Sequence, residues 1–288
     1  MFWQTYTNTF KNIFRSVLFW LGFLTVIAVT VHSTLGSFES IYDVVSKEMI
    51  SDLDPRYVFS YGGFLDKIGN ALYHGSLRLY VPLIAVVSTF VIVHGDYSNG
   101  FYEIEKAGGV RPASYYFGRL TALFTVNCAV LLVVTMIYVH LYTATRGLVE
   151  GLTLTEYLVD STTRLLRGYI YLGFPCVLFY VTLTYTVGTL IRSGIGGGVG
   201  GTVYVVAHYI LVDTAVKFNF PEWVERYIPA SPYTVQHYLW FYGRRLAEDW
   251  RNHTRSNLPE ATLGYCITAG CSVLFIVIGY LMVRRRTK

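Results

Sequence analysis

Long apolar runs alternate with short polar stretches along the whole chain. A helix needs about 20 apolar residues to cross the hydrocarbon core. Six runs qualify, at approximately Ser16–Leu35, Leu77–His94, Leu120–Tyr142, Gly168–Ile191, Val199–Val216 and Ala261–Val283. The first of them, SVLFWLGFLTVIAVTVHSTL, contains no Asp, Glu, Lys or Arg, whereas the fifth carries Asp213. Polar backbone cannot face lipid unpaired, so runs of this length predict helices rather than strands. The pattern predicts an all-α, polytopic membrane protein: a single transmembrane domain over residues 1–288 with six transmembrane helices.

Between the runs the polar pattern predicts further elements. In residues 1–15, Phe2, Trp3, Tyr6, Phe10, Ile13 and Phe14 recur at helical spacing, while Gln4, Asn8 and Asn12 fall on another face. This is the pattern of an amphipathic helix lying in the membrane interface; an early start to the first span is the alternative. An acidic loop follows the first span over 36–76. Thr153-Leu-Thr-Glu156 is a capping-box pattern that starts a surface helix over 150–167. In the long segment 217–259, Val235, Leu239, Tyr242, Leu246 and Trp250 trace a second amphipathic helix on the outer side.

Composition fits this reading. Of the 288 residues 53% are hydrophobic and only 14% charged, against about 25% charged in an ordinary soluble domain. That shortage of charge excludes a disordered chain and a nucleic-acid-binding tail. The four cysteines, Cys128, Cys176, Cys266 and Cys271, all fall in apolar runs with no CxxC pair, and read as small buried hydrophobes. Arg284, Arg285, Arg286 and Lys288 directly follow the sixth span. Such a cluster marks a cytoplasmic end, and six spans then put the N-terminus, with Lys11 and Arg15, on the same side. The expected location is the plasma (cytoplasmic) membrane, with both termini cytoplasmic.

Catalytic patterns are absent from the sequence. It contains no GxxxxGK[ST], HExxH or GxSxG, so the chain is expected to bind no cofactor and to be no enzyme by itself. Asn127 and Asp213 are the polar residues deepest in expected spans. An intramembrane polar group is costly unless paired or hydrated, so both are candidates for a polar pathway; a local ion pair of Asp213 with Lys217 is the alternative. Ser193 to Gly201 reads SGIGGGVGG. Gly196/Gly200 and Gly197/Gly201 form small-xxx-small pairs that let helices approach closely, which makes these four glycines candidates for a dimer interface; a flexible loop is the other reading.

The stretch from Asp96 to Arg119, after the second span, is charged and punctuated by glycine. Phe101 to Lys106 can form a short helix ended by Gly108-Gly109, and Pro112 suits the first turn of the next helix. Here the chain resembles the permease subunits of ATP-binding-cassette (ABC) transporters of the type-two export class. In that family an acidic residue, three spacers and a glycine follow the second span; Asp96 and Gly100 fit. A short coupling helix comes next, matched by Phe101, Tyr102, Glu103, Ile104, Glu105 and Lys106. A proline/serine/basic patch containing Arg111 and a pair, Gly118-Arg119, complete the match. The sequence departs in having Asp96 for glutamate, Arg119 for lysine, and a reordered proline and basic residue.

The resemblance implies a dimer with a second permease copy or a homologous permease, and separate ABC ATPase subunits that hold the ATP and Mg and dock on the coupling helix. Glu103, Glu105 and Lys106 are then expected to supply charge at the rim of the docking contact, and Phe101, Tyr102 and Ile104 its buried anchors. The abundance of aromatic residues suits an amphipathic or apolar cargo such as a peptide, lipid or drug-like molecule. An ion-coupled secondary transporter is the alternative, followed by an intramembrane enzyme or a membrane anchor. Membrane lipid is an expected partner and nucleic acid is not.

Overall fold

A computed structural model of the chain describes residues 1–47, 79, 81–146, 174–218, 228–230 and 258–286. Among them there is no strand. The helices are α1 (Phe2–Arg15), α2 (Val17–Lys47), α3 (Val81–Ser98), α4 (Phe101–Ala107) and α5 (Pro112–Arg146). They continue with α6, described over Phe174–Ile191, α7 (Gly194–Phe218) and α8 (Leu258–Arg286). Four described helices, α3, α5, α6 and α8, are long and apolar enough to cross a membrane, and α1 with α2 makes a fifth candidate if the bent pair counts as one span. This is the architecture of a polytopic membrane protein. The acidic loop 36–76 beyond Lys47, the helix expected over 150–167 and the amphipathic helix around Val235–Trp250 lie outside the described residues.

The bend between α1 and α2 is 67°. Ser16 makes it: its backbone is extended, and its Oγ accepts from the Phe19 N–H at 3.4 Å, capping the start of α2. The Trp20 indole donates to the Phe14 carbonyl across the bend at 2.8 Å. Aromatic rings run unbroken from Phe2 through Trp3, Tyr6, Phe10 and Phe14 to Phe19 and Trp20. The face of α1 that packs on the protein is a different one, Thr5, Thr9 and Ile13. Threonine at four-residue spacing gives a narrow face, and the Thr9 hydroxyl returns a bond to its own helix at Thr5 O, 2.7 Å away. It seats on Gly118 of α5, where a side-chain carbon would lie 3.1 Å from Thr5 Cβ and 3.2 Å from Phe2 O.

Several span boundaries differ from the sequence pattern: α2 runs on to Lys47, past Leu35, α7 begins at Gly194, before Val199, and two more differ around the charged stretch. The second span ends at Ser98, not His94, so Asp96 is in the helix and not in a loop after it. The helix of the third span begins at Pro112, as the proline predicts, and runs unbroken through Leu120, so Gly118-Arg119 lie inside the same helix as the apolar run. One cause serves both. Asp96 and Arg119 neutralise each other, and hydropathy read residue by residue counts each as a break.

The glycine-rich stretch is helical from Gly194 onward, not a loop, with Ser193 Oγ accepting from Gly196 N–H at 3.2 Å at its start. Its glycines meet helices of the same chain. A side-chain carbon on Gly197 would lie 2.8 Å from Gly188 Cα and 2.9 Å from Thr184 O, both of α6. On Gly198 it would lie 2.9 Å from Phe90 of α3, and on Gly200 3.0 Å from Val187 of α6. At Gly201 it would collide with Thr184 Oγ1, and at Gly194 with the His94 backbone. Gly196, Gly197, Gly200 and Gly201, expected at a dimer interface, all have neighbours within the chain. They let α7 lie against α3 and α6, or, for Gly196, sit beside Ile191 of the preceding turn. The outward face of α7 is instead Ile195, Val199, Val203 and Val206.

Gly197→Ala is expected to destabilise the chain by about 1–3 kcal/mol through overpacking against backbone that cannot rotate away. Gly270→Ala on α8, where the added carbon meets nothing within 4 Å, is the matched control and leaves the midpoint unchanged. Thermal unfolding of the two purified variants in detergent checks the difference.

Candidate functional site

The site is built where α1, α3, α4 and α5 meet, around Arg119. Its guanidinium is 1% exposed. Nη2 lies 2.6 Å from Asp96 Oδ1 in the last turn of α3 and 3.3 Å from Glu105 Oε1 on α4. Nη1 donates to Thr9 Oγ1 of α1 at 3.2 Å, and the guanidinium carbon stands 4.7 Å from the centre of the Tyr115 ring. Thr5 Oγ1 of α1 donates to Glu105 Oε2 at 3.5 Å. One cation thus holds two carboxylates and a hydroxyl from three other helices. A planar guanidinium with five donors can do this; a lysine ammonium has neither the reach nor the fork.

The turns flanking α4 require glycine. Gly100, with φ +70°, joins Ser98 of α3 to α4 through a left-handed residue, and Gly109, with φ +74°, reverses the chain after it. Gly108 N–H bonds Ile104 O at 3.0 Å and Val110 N–H bonds Glu105 O at 3.1 Å, which closes the C-terminus of α4 on itself. A β-carbon at either left-handed position is strained.

Within α4 the side chains divide by face. Tyr102 and Glu105, three residues apart, turn inward. The Tyr102 ring is buried edge-on against Tyr115, with centroids 5.1 Å apart. Phe101 and Ile104 turn outward, and Ile104 is 65% exposed. Glu103, Lys106 and Arg111 are exposed beside them. The expectation that Glu105 lies on an outward rim and Tyr102 in an intermolecular pocket is corrected: both face the interior of this chain. Asp96, Gly118 and Arg119 likewise serve its internal packing. The outward surface of α4 is the apolar pair Phe101 and Ile104 among Glu103, Lys106 and Arg111.

Thr5 and Thr9 are members of this site that sequence reasoning missed. Their signal was visible, a Thr-xxx-Thr pair on an otherwise aromatic helix, but small polar residues on a surface helix carry no charge or motif to draw notice. Of the two pathway candidates, Asn127 sits between α3 and α5. Its Nδ2 donates to Ser88 Oγ at 2.8 Å and to Leu123 O at 2.8 Å, an interhelical bond of the kind that joins membrane helices. The side chain of Asp213 lies outside the described residues. Among those residues no group of His, Cys, Asp and Glu is arranged to hold a metal ion. No known family model and no curated protein matches the chain.

Removing one partner of a buried ion pair costs about 3–5 kcal/mol, whereas exchanging both for apolar groups is close to neutral. Arg119→Met is therefore expected to be strongly destabilising. Arg119→Met with Asp96→Leu is expected to recover much of that loss, because Glu105, with its side chain 19% exposed, can reach water. Denaturant unfolding of the two single variants and the double variant measures the coupling; additive losses would contradict this account of the site.

Proposed function

We propose that the chain is the six-span permease subunit of an ATP-driven ABC exporter, with α4 as the coupling helix on which a separate ATPase subunit docks. The observation that carries this reading is the division of α4 into two faces. A helix of seven residues has little stability alone. Here it is held at its inner face by Tyr102 and Glu105 and fixed at both ends by left-handed glycines, yet it offers Phe101 and Ile104 to solvent. A connection between two membrane helices needs none of this. An element that receives a push needs both a firm seat and an apolar contact with charge around it.

On this reading the site around Arg119 carries displacement of α4 to α3, α5 and α1 together, and so switches the spans between inward- and outward-facing arrangements. The interfacial position of α1 follows from its exposed aromatic face, with Trp3 outermost, and from Lys11 and Arg15 on its polar side. A second permease copy covers the outward apolar face of α7 and the exposed Val17, Leu18, Leu21 and Leu24 of α2. Cargo is amphipathic or apolar, ATP and Mg reside on the ATPase, and both termini of the chain are cytoplasmic, in the plasma membrane.

Ile104→Glu is expected to abolish co-purification of the ATPase while leaving the unfolding midpoint of the permease unchanged, since Ile104 is 65% exposed; Phe101, whose ring lies against Gly95 of α3, is left in place. Glu105→Lys is expected to lower that midpoint, because it sets a second cation beside Arg119. An ATPase that stays bound to the Ile104→Glu variant would overturn the docking assignment.

A further inference from the structure

Three kinds of surface run along α1. Thr5, Thr9 and Ile13 are buried against the protein. At 3.6 residues per turn the rings of Trp3, Tyr6, Phe10 and Phe14 fall roughly 100° further round. They touch one another in sequence along the helix, and Trp3 is 72% exposed. Beyond the rings come Lys11 and Arg15, four residues apart and both exposed. The helix contains no Asp or Glu, so nothing within it neutralises these two cations.

A stripe of rings flanked by cations fits one partner, a lipid surface with anionic headgroups. Aromatic rings settle at headgroup depth, and each Lys or Arg near an anionic leaflet strengthens adsorption about fivefold. The 67° bend at Ser16 lets α2 enter the bilayer while α1 lies along its surface. Further cations stand at the same level. Tyr280 of α8 packs on Phe117 of α5 with centroids 5.5 Å apart, beside the Gly118 on which α1 seats. Arg284 and Arg285 follow one turn later, both exposed. Cations from two helices thus mark the end of the bundle that carries α4.

Adsorption of α1 bears directly on the site around Arg119. A helix of 14 residues is marginal by itself in water. Coiling is what gathers Thr5, Thr9 and Ile13 into one face. That face brings Thr9 Oγ1 to Arg119 at 3.2 Å and Thr5 Oγ1 to Glu105 of α4 at 3.5 Å. A surface that favours the helical form of α1 therefore favours the seated form too, which is the differential affinity that lets a ligand shift an equilibrium.

We propose that α1 binds anionic phospholipid through Lys11 and Arg15, and that this adsorption keeps α1 seated and so makes the seat of α4 firm. The proposal rests on the interfacial placing of α1 in the previous section and adds the chemistry of its partner.

The test places the full chain in nanodiscs of phosphatidylcholine alone and in nanodiscs of phosphatidylcholine mixed with phosphatidylglycerol. Hydrogen exchange of the α1 and α4 amides is followed by mass spectrometry. Exchange in both helices is expected to be about tenfold slower or more with phosphatidylglycerol, and high salt is expected to remove the difference by screening. Lys11→Gln with Arg15→Gln is expected to exchange alike in the two lipids, whereas Lys11→Arg retains the response. Thr5→Val with Thr9→Val is expected to keep the lipid response of α1 and lose that of α4, because adsorption persists while the hydroxyl contacts are gone. Equal rates in the two lipids for the unaltered chain, or a full response in the glutamine variant, overturns lipid binding by α1. An α4 response that survives the valine pair overturns its control of the seat. The transporter reading fails on other grounds, if no ATPase co-purifies with the chain, and the exchange rates then still decide whether α1 binds anionic lipid.

Discussion

Burial of one guanidinium organises the described part of this chain. Taking Arg119 out of water costs several kcal/mol, which Coulomb attraction repays only with close and well-directed partners. Asp96 at 2.6 Å is the nearest, and Glu105 and Thr9 add to it. Each partner sits on a different helix, so satisfying Arg119 fixes the register of α3 and α5, the seat of α4 and the approach of α1 simultaneously. Hydrophobic burial cannot supply that definition between membrane helices, because lipid tails are as apolar as leucine. Directed polar contacts specify the arrangement, and the apolar surface around them tolerates it.

The remaining helix contacts follow from the same limitation. Where no solvent-driven force pulls helices together, close backbone approach and interhelical hydrogen bonds must serve. The glycines of α7 provide the first, against Gly188 and Thr184 of α6 and Phe90 of α3. Asn127 to Ser88 between α3 and α5, and Thr186 Oγ1 to Phe275 O between α6 and α8 at 2.9 Å, provide the second. Gly279 lies where Tyr116 and Thr186 leave no room for a side-chain carbon, so even the peripheral α8 is located by a small residue. Elsewhere its Val273, Leu274 and Val277 stay exposed, as a helix needs only one specified face.

Helical content, the apolar runs and the short helix after the second run were legible because each rests on local chemistry: run length, Gly100 and Gly109 as chain reversals, and Pro112 as a helix start. The span ends at Asp96 and Arg119 were not, because two charges that cancel in space look like two breaks in sequence. The facing of α4 was misread at Tyr102 and Glu105 for a related reason. A charged residue on a tip helix is assigned to solvent unless its partner is known, and the partner stands 14 positions away. The packing face of α1 was not read from the sequence because its aromatic stripe is the more conspicuous one, although in lipid a stripe of large rings can point away from the protein and leave Thr5 and Thr9 to pack. The glycines of α7 announced close packing, but spacing alone cannot say whether the neighbour is another chain or the same one.

If α4 takes a push, the response depends on how stiffly each contact passes it on. The ionic contacts around Arg119 tie α4 to α3 and α5 and leave these elements little freedom to move separately. From α3 the next contact is with α7, where Gly194 lies against the His94 backbone and Gly198 beneath Phe90. Backbone against backbone has no side-chain rotamers to absorb a displacement, so α3 and α7 slide or tilt together. A glycine seam between α3 and α7 thus gives any such displacement a route from the tip helix into the bundle, with no need for a continuous chain of charged residues through the membrane.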